Sequence, residues 1–250
     1  MTDLLTVVGI GAGGWADLPG THAEALIASE VVLGSRRQLD LLPPSVAASR
    51  VAWPSPLLPA LPGLLSAHEG RRVCVLASGD PMFHGIGATL ARLVGPDRLR
   101  VLTHPSSVSL AAARMGWALQ DVEVVSVVSA PVTAVHAALN PGRRVLVLGA
   151  TPPSLPRLDG CRVTVLSQLG GPSEEVTDLD GWSGDPLCVI AIECLDVPRT
   201  PSTPGLADDL YESDGQLTKR EVRAVTLAVL GPSPGEMLWD VGAGSVYKQI

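Results

Sequence analysis

Aromatic residues make up only 3% of this 250-residue chain, and Phe83 is its single phenylalanine. Basic residues occur as scattered pairs, Arg36-Arg37, Arg71-Arg72 and Arg143-Arg144, within a net charge of −7. A chain with no basic stripe and few rings to stack on bases is not built for nucleic acid. Cys74, Cys161, Cys188 and Cys194 show no CxxC spacing, and they sit in apolar, strand-like runs that suit buried thiols. His22, His68, His84, His104 and His136 form no HExxH pair, so no metal site is expected. No apolar run reaches the roughly 18 residues of a membrane span. The start, MTDLLTVVGIG, has no basic n-region and enters a strand pattern directly, so the expectation is a chain without a signal peptide, soluble and cytoplasmic.

What is present is strand and helix in alternation. Leu4–Ile10, Val31–Leu33, Val51–Trp53, Val73–Ala77 and Leu99–Thr103 read as strands. Helices are expected from the Thr21-His22-Ala23-Glu24 capping box to Ser29, over Arg36–Leu42, through Ile86, Leu90 and Val94, and over Ser106–Met115. This alternation predicts an α/β domain, residues 1–117, with a mostly parallel sheet and helices on both faces. A second α/β domain, residues 118–198, has strands at Glu123–Val128, Arg143–Leu148, Arg162–Gln168 and Leu187–Leu195, and a short helix capped by Ser173. RTPSTPG, residues 199–205, reads as a linker. In residues 206–250, a Thr218-Lys219-Arg220-Glu221 capping box opens a helix to Leu230, and Met237–Val241 reads as a closing strand before Gly242-Ala243-Gly244.

Three glycine loops follow strands: GIGAGG at 9–14, SGDPMFHG at 78–85 and GAG at 242–244. The first is a poor dinucleotide fingerprint. Such a fingerprint starts its helix at once and ends its second strand on an acid that holds ribose. Here Trp15–Gly20 intervenes, and Val31-Val32-Leu33-Gly34 carries no acid. The second loop stands where a parallel strand ends, the position at which open α/β sheets bind ligands. Gly79 permits close backbone approach, and Asp80 can serve a ligand or its own turn.

Val8-Gly9-Ile10-Gly11-Ala12-Gly13-Gly14, Ser78-Gly79-Asp80-Pro81-Met82-Phe83-His84-Gly85, and His104-Pro105-Ser106-Ser107-Val108-Ser109 before an Ala-rich helix ending Met115-Gly116 resemble the tetrapyrrole methylases across residues 4–198. Gly34-Ser35-Arg36-Arg37-Gln38-Leu39 and Gln168-Leu169-Gly170-Gly171-Pro172-Ser173-Glu174-Glu175 are similar to the cobalamin-pathway branch that methylates precorrin-6Y or its cobalt analogue. The tail, Asp214–Arg223 and Leu238–Ser245, resembles the start of a partner methyltransferase that decarboxylates the same intermediate, and the chain is expected to end inside that domain.

The resemblance implies a parallel N-terminal sheet, a smaller mixed-sheet domain and a cofactor cleft between them. It implies S-adenosylmethionine as cofactor, a tetrapyrrole substrate methylated at C5, no membrane or nucleic-acid partner, and a homo-oligomer. By position, Gly11, Ala12, Gly79, Asp80, Phe83, Ser107 and Val108 should contact the cofactor, with Leu148 and Leu169 from the second domain. For Phe83, Val108, Leu148 and Leu169, plain core packing is the competing account. Arg36 and Arg37 would meet substrate carboxylates, or else be solvated residues at a helix start. No residue is assigned as general base. An enzyme of this fold acting on another nucleophile, and a catalytically incomplete fragment, are the alternatives.

Overall fold

A computed structural model of the chain describes residues 4–199, 204–213, 215–233, 236, 237, 239 and 245–247. Buried aliphatic runs form the first sheet: β1 (Leu5–Ile10), β2 (Val31–Gly34), β3 (Ser49–Ala52), β4 (Val73–Ser78) and β5 (Leu99–Leu102). All five are parallel, in the order β3-β2-β4-β1-β5. Helices α1 (Gly20–Ile27), α2 (Arg36–Asp40), α3 (Leu57–Ser66) and α4 (Ile86–Val94) connect the strands. Alternate residues of each strand feed opposite faces. Val8, Ile10, Val32, Cys74 and Leu76 pack with Leu26 of α1 and Leu39 of α2. Val7, Val31, Leu33, Val75 and Ala77 pack with Leu61 of α3 and Leu90 of α4. A sheet covered on both faces needs apolar inner strands, and β2, β4 and β1 are apolar but for Thr6 and the terminal Ser78, while the edge strands β3 and β5 carry Ser49, Arg50 and Arg100.

The strand order places the site. From β1 the chain moves towards β2, passing β4; from β4 it moves towards β5, passing β1. The two connections diverge on opposite faces of the sheet, which leaves a crevice beyond the carboxyl ends of β1 and β4.

Helix α5 (Ser107–Met115) leads to the second sheet. Ser106 Oγ accepts from Ser109 N at 3.0 Å and caps its start. At its end Gly116 turns left-handed, with φ +65°, and Trp117 N–H bonds back to Ala112 O at 2.9 Å. Strands β6 (Val122–Ser126), β7 (Arg144–Leu148), β8 (Cys161–Ser167), β9 (Glu175–Thr177) and β10 (Cys188–Cys194) form a mixed sheet in the order β6-β7-β10-β8-β9. Only β6 and β7 run parallel within it. Val108, Ala111 and Ala112 of α5 cover one face, against Leu146, Leu166 and Val189. Val135 and Ala138 of α6 (Ala134–Ala138) cover the other. Beyond residue 204, β11 (Tyr211–Ser213) pairs antiparallel with β12 (Ser245–Tyr247), and α7 (Arg220–Leu230) lies between them in sequence.

Several local expectations are corrected. Thr21 does not cap α1, which begins at Gly20 after Pro19. Its Oγ1 lies 3.3 Å from His22 Nδ1, and the buried His22 reaches Thr103 O through Nε2 at 2.9 Å. Ser173 starts no helix. Glu174 is drawn to Arg114 and Gly170, and Glu175 enters β9 opposite Ser167. Thr218 caps nothing by its side chain: α7 begins at Arg220, and Thr218 O accepts from Arg223. The expected closing strand at 237–241 and the GAG loop lie largely or wholly outside the described residues. No described helix is long and apolar enough to cross a membrane, and no group of three or more metal-ligating side chains occurs among the described residues.

Candidate active site

Three loops meet where β1, β4 and β5 end. Gly79 N donates to Ile10 O at 3.0 Å and locks the first two together. Gly9 has to be glycine for this. A Cβ there would overlap the Gly79 carbonyl oxygen and approach His104 N to 2.8 Å and His104 Cβ to 2.9 Å. Gly79 itself has φ +58°, and a Cβ would stand 3.1 Å from both Pro105 O and Ser106 Cα. Asp80 Oδ1 accepts from Met82 N at 2.8 Å, so this carboxylate oxygen is engaged in its own turn.

The second domain supplies the facing wall. Gln168 adopts φ +50°, and the following Leu169-Gly170-Gly171 lies against the first glycine loop. A Cβ on Gly171 would come within 2.9 Å of Ala12 Cβ, and one on Gly13 within 2.8 Å of Gly170 O. Glu174 fastens this loop to α5: Oε2 accepts from Gly170 N at 2.7 Å and from Arg114 Nη2 at 3.0 Å, and Oε1 meets Arg114 Nε. The Arg114 pairing, more than the Gly170 N–H, holds the Glu174 carboxyl below its ordinary range.

Between these walls lies a cleft of about 110 Å³ that opens to solvent. Its sides are apolar, with Ile10, Leu110, Leu166, Leu169, Leu187 and Val189. Arg37 and Ser78 supply polarity at one place on the wall. Ser35 and Gln38 form a capping box at the start of α2: Gln38 N donates to Ser35 Oγ at 3.3 Å, and Ser35 N donates to Gln38 Oε1 at 2.8 Å. Gln38 Nε2 then reaches Ser78 Oγ at 3.0 Å, beside Arg37 Nη2 at 3.1 Å. Burial against the wall lowers the Arg37 pKa and Asp185 raises it, the first effect being the larger. The guanidinium remains a cation at neutral pH. Cys188 also lines the cleft. Burial, and then Asp185, push its thiol up, so it is neutral and no ready nucleophile. The cleft can bind and align an organic ligand with a negatively charged end.

Of the residues singled out from sequence, Gly11, Ala12, Gly79, Ser107, Leu169 and Arg37 come together on this cleft. Val108 is 1% exposed and packs in the core beneath α5, with Leu148 at the rim of the same cluster. Phe83 is 39% exposed and stands edge-on to His84, their ring centroids 4.8 Å apart. Arg36 is exposed and forms no hydrogen bond or ion pair among the described residues. Sequence reasoning missed Ser78, Gln38 and the apolar wall from Leu110, Leu166 and Val189. The S-x-x-Q spacing of Ser35 and Gln38 was the available signal for Gln38.

A larger cavity, about 530 Å³, opens at the amino ends of the first sheet beside Leu65, His68, Arg71 and Val94. Parallel sheets bind at the carboxyl ends of their strands, so position favours the smaller, interdomain cleft as the active site.

A parallel sheet whose glycine-rich strand ends open on a cleft shared with a mixed sheet defines an α/β protein of two sheets. A sequence model of the "Tetrapyrrole (Corrin/Porphyrin) Methylases" matches residues 4–177, and the chain belongs to that family. A second, "Precorrin methyltransferase domain", matches residues 209–247. The chain is 44% identical to precorrin-6Y C(5,15)-methyltransferase [decarboxylating] of Mycobacterium tuberculosis, over 97% of this chain and 64% of that protein. It is 45% identical to the protein of the same name from a Sinorhizobium species, over 96% of this chain and 62% of that one. The chain thus spans less than two thirds of the length of these relatives. The crystal structure of a cobalamin-biosynthesis precorrin-6Y methylase from Archaeoglobus fulgidus superposes with a TM-score of 0.59 at 26% identity, covering 78% of this chain and 99% of the archaeal one. The α/β fold, with its parallel and mixed sheets, is that of the family.

Proposed function

We propose that the chain is an S-adenosylmethionine-dependent methyltransferase that methylates C5 of precorrin-6Y, or of its cobalt analogue, in cobalamin biosynthesis. The single observation that carries the proposal is the interdomain cleft at the switch point of the parallel sheet, in a chain 44% identical to a precorrin-6Y methyltransferase. The archaeal methylase supports placing methylation in the two-sheet part, because that protein is covered almost in full by the match.

The cleft suits this cofactor. Its apolar sides, Ile10, Leu166, Leu169 and Val189, suit a purine and a thioether stem, and the Arg37–Ser78 wall offers donors for a carboxylate. Gly11, Ala12, Gly79, Ser107 and Leu169 are the proposed contacts. When bound, S-adenosylmethionine supplies an electrophilic methyl group on sulfur. The protein's part is alignment and exclusion of water: Gly9 and Gly79 let the strand ends close together, and the Leu169-Gly170-Gly171 loop closes the opposite side. Arg37, beside Ser78, offers charge-assisted donors to a carboxylate of either the cofactor or the tetrapyrrole.

The experiment is transfer of labelled methyl from S-adenosylmethionine to enzymatically prepared precorrin-6Y by this chain alone. Label should enter the tetrapyrrole without loss of carbon dioxide. Retained cofactor binding with no label in the tetrapyrrole would overturn the substrate assignment.

A further inference from the structure

Counting protons around Ser78 gives its hydroxyl a direction. The orientation of the Gln38 amide is not free. Ser35 N–H can only donate, so the atom it meets at 2.8 Å is the amide oxygen, and the atom 3.0 Å from Ser78 Oγ is the amide NH₂. Arg37 Nη2, 3.1 Å from the same oxygen, is also only a donor. A serine hydroxyl has two acceptor lone pairs and one proton. Both lone pairs are taken, and no acceptor for the proton occurs among the described residues. Ser78 is exposed, and its side of the wall is cleft. The O–H therefore points into the cleft, next to a guanidinium whose one hydrogen bond among the described residues goes to Ser78. Asp185 bonds Gln168 Nε2 through Oδ2 at 2.7 Å and Leu187 N through Oδ1 at 2.8 Å, and no hydrogen bond joins it to Ser78 among the described residues.

We propose that Ser78 is a committed hydrogen-bond donor to a ligand carboxylate in the cleft, paired with Arg37, and that Gln38 is the positioning residue that commits it. This rests on the methyltransferase reading, which brings two carboxylate sources to the cleft: the amino-acid end of the cofactor and the side chains of the tetrapyrrole. A patch made only of donors accepts either and rejects an amine or amide NH₂ in the same place.

The test uses the whole chain with three probes. S-adenosylhomocysteine carries the cofactor carboxylate, 5′-methylthioadenosine keeps the nucleoside and thioether without it, and uroporphyrin is a stable tetrapyrrole polycarboxylate. Ser78→Ala should weaken one carboxylate probe about ten- to hundredfold, the loss of a hydrogen bond to a charged group. Loss confined to S-adenosylhomocysteine, with 5′-methylthioadenosine unchanged, assigns the cofactor carboxylate; loss confined to uroporphyrin assigns the substrate. Ser78→Thr keeps the proton and should restore binding. Gln38→Glu is the sharper variant. One carboxylate oxygen still accepts Ser35 N–H, but the other now faces Ser78 Oγ and takes its proton away from the cleft. Gln38→Glu should match Ser78→Ala, and the double variant should be no worse than either alone. Unchanged affinity for every carboxylate probe in both single variants, or fully additive losses, overturns the proposal. If Gln38→Glu lowers the melting temperature, the Ser78→Ala and Ser78→Thr pair decides. A wild-type chain that binds none of the probes overturns the methyltransferase reading and this inference with it.

Discussion

Gly9→Ala perturbs the site at its tightest point. One methyl group would overlap the Gly79 carbonyl oxygen and press on His104 N and Cβ, at 2.8 and 2.9 Å against an ordinary contact beyond 3.4 Å. Two of these three neighbours are backbone atoms at the ends of β4 and β5, so no change of rotamer relieves them. The strands must part by several tenths of an ångström, and the Gly79 N to Ile10 O bond between them, 3.0 Å, lengthens. Overpacking of a rigid site costs about 1–3 kcal/mol, and a backbone clash belongs at the upper end. At about 2–4 °C per kcal/mol for a domain of this size, the melting temperature should fall by roughly 6–12 °C. Gly63→Ala is the control. Gly63 lies inside α3 with nothing within 4 Å of its added Cβ, so alanine should stabilise the protein by about 0.4–1 kcal/mol. Thermal denaturation followed by circular dichroism reads both, and calorimetric titration with S-adenosylhomocysteine should show at least a tenfold loss for Gly9→Ala. A Gly9→Ala protein with unchanged melting temperature and unchanged affinity would refute the claim that close approach of these strand ends builds the cleft.

Asp80→Ala removes the turn bond to Met82 N and should cost about 0.5–1.5 kcal/mol in denaturant unfolding. A proportionally larger loss of S-adenosylhomocysteine affinity is expected if the carboxylate also serves the ligand; a collapse in stability with unchanged affinity per folded molecule would make Asp80 structural. Glu174→Gln should lower the melting temperature at pH 7 and loosen the Leu169 loop, weakening S-adenosylhomocysteine. The folded pKa of Glu174 lies below its ordinary value, chiefly through Arg114. Its stabilising effect is therefore complete above the unfolded value of about 4.3 and is lost as pH falls through the lower folded one. The gap between the two proteins should narrow steadily as pH falls below about 4.3, and a gap that stays constant on acidification would place the effect outside the Glu174–Arg114 pair.

The buried strands of both sheets were readable because a strand covered on two faces must be apolar throughout, as Val73–Ala77 and Val31–Leu33 are. Helix α3 was not readable. LLPALPGLLS carries Pro59, Pro62 and Gly63, all local signs of a break. Pro59 lies in the first turn, where no helical donor is lost, and the fully buried Leu61, with Leu57, Leu64 and Leu65 against the sheet, offsets the rest. Ser173-Glu174-Glu175 misled for the opposite reason: a sound local start signal yielded to tertiary bonds from Arg114 and Gly170. The glycine loops announced the strand-end walls of the site. Leu110, Leu166 and Val189 stayed hidden because a wall residue and a core residue are the same residue type. Arg36 and Arg37 looked alike in sequence, yet only Arg37 turns to Ser78, since adjacent residues of a helix face different ways.

The most direct test of the central claim is calorimetric titration of the wild-type chain with S-adenosylhomocysteine. The interdomain cleft predicts saturable binding with a stoichiometry near one per chain and a Kd on the order of micromolar, in the ordinary range for small-molecule sites. Absence of heat and of any thermal shift at millimolar ligand would contradict it, and so would a stoichiometry of two.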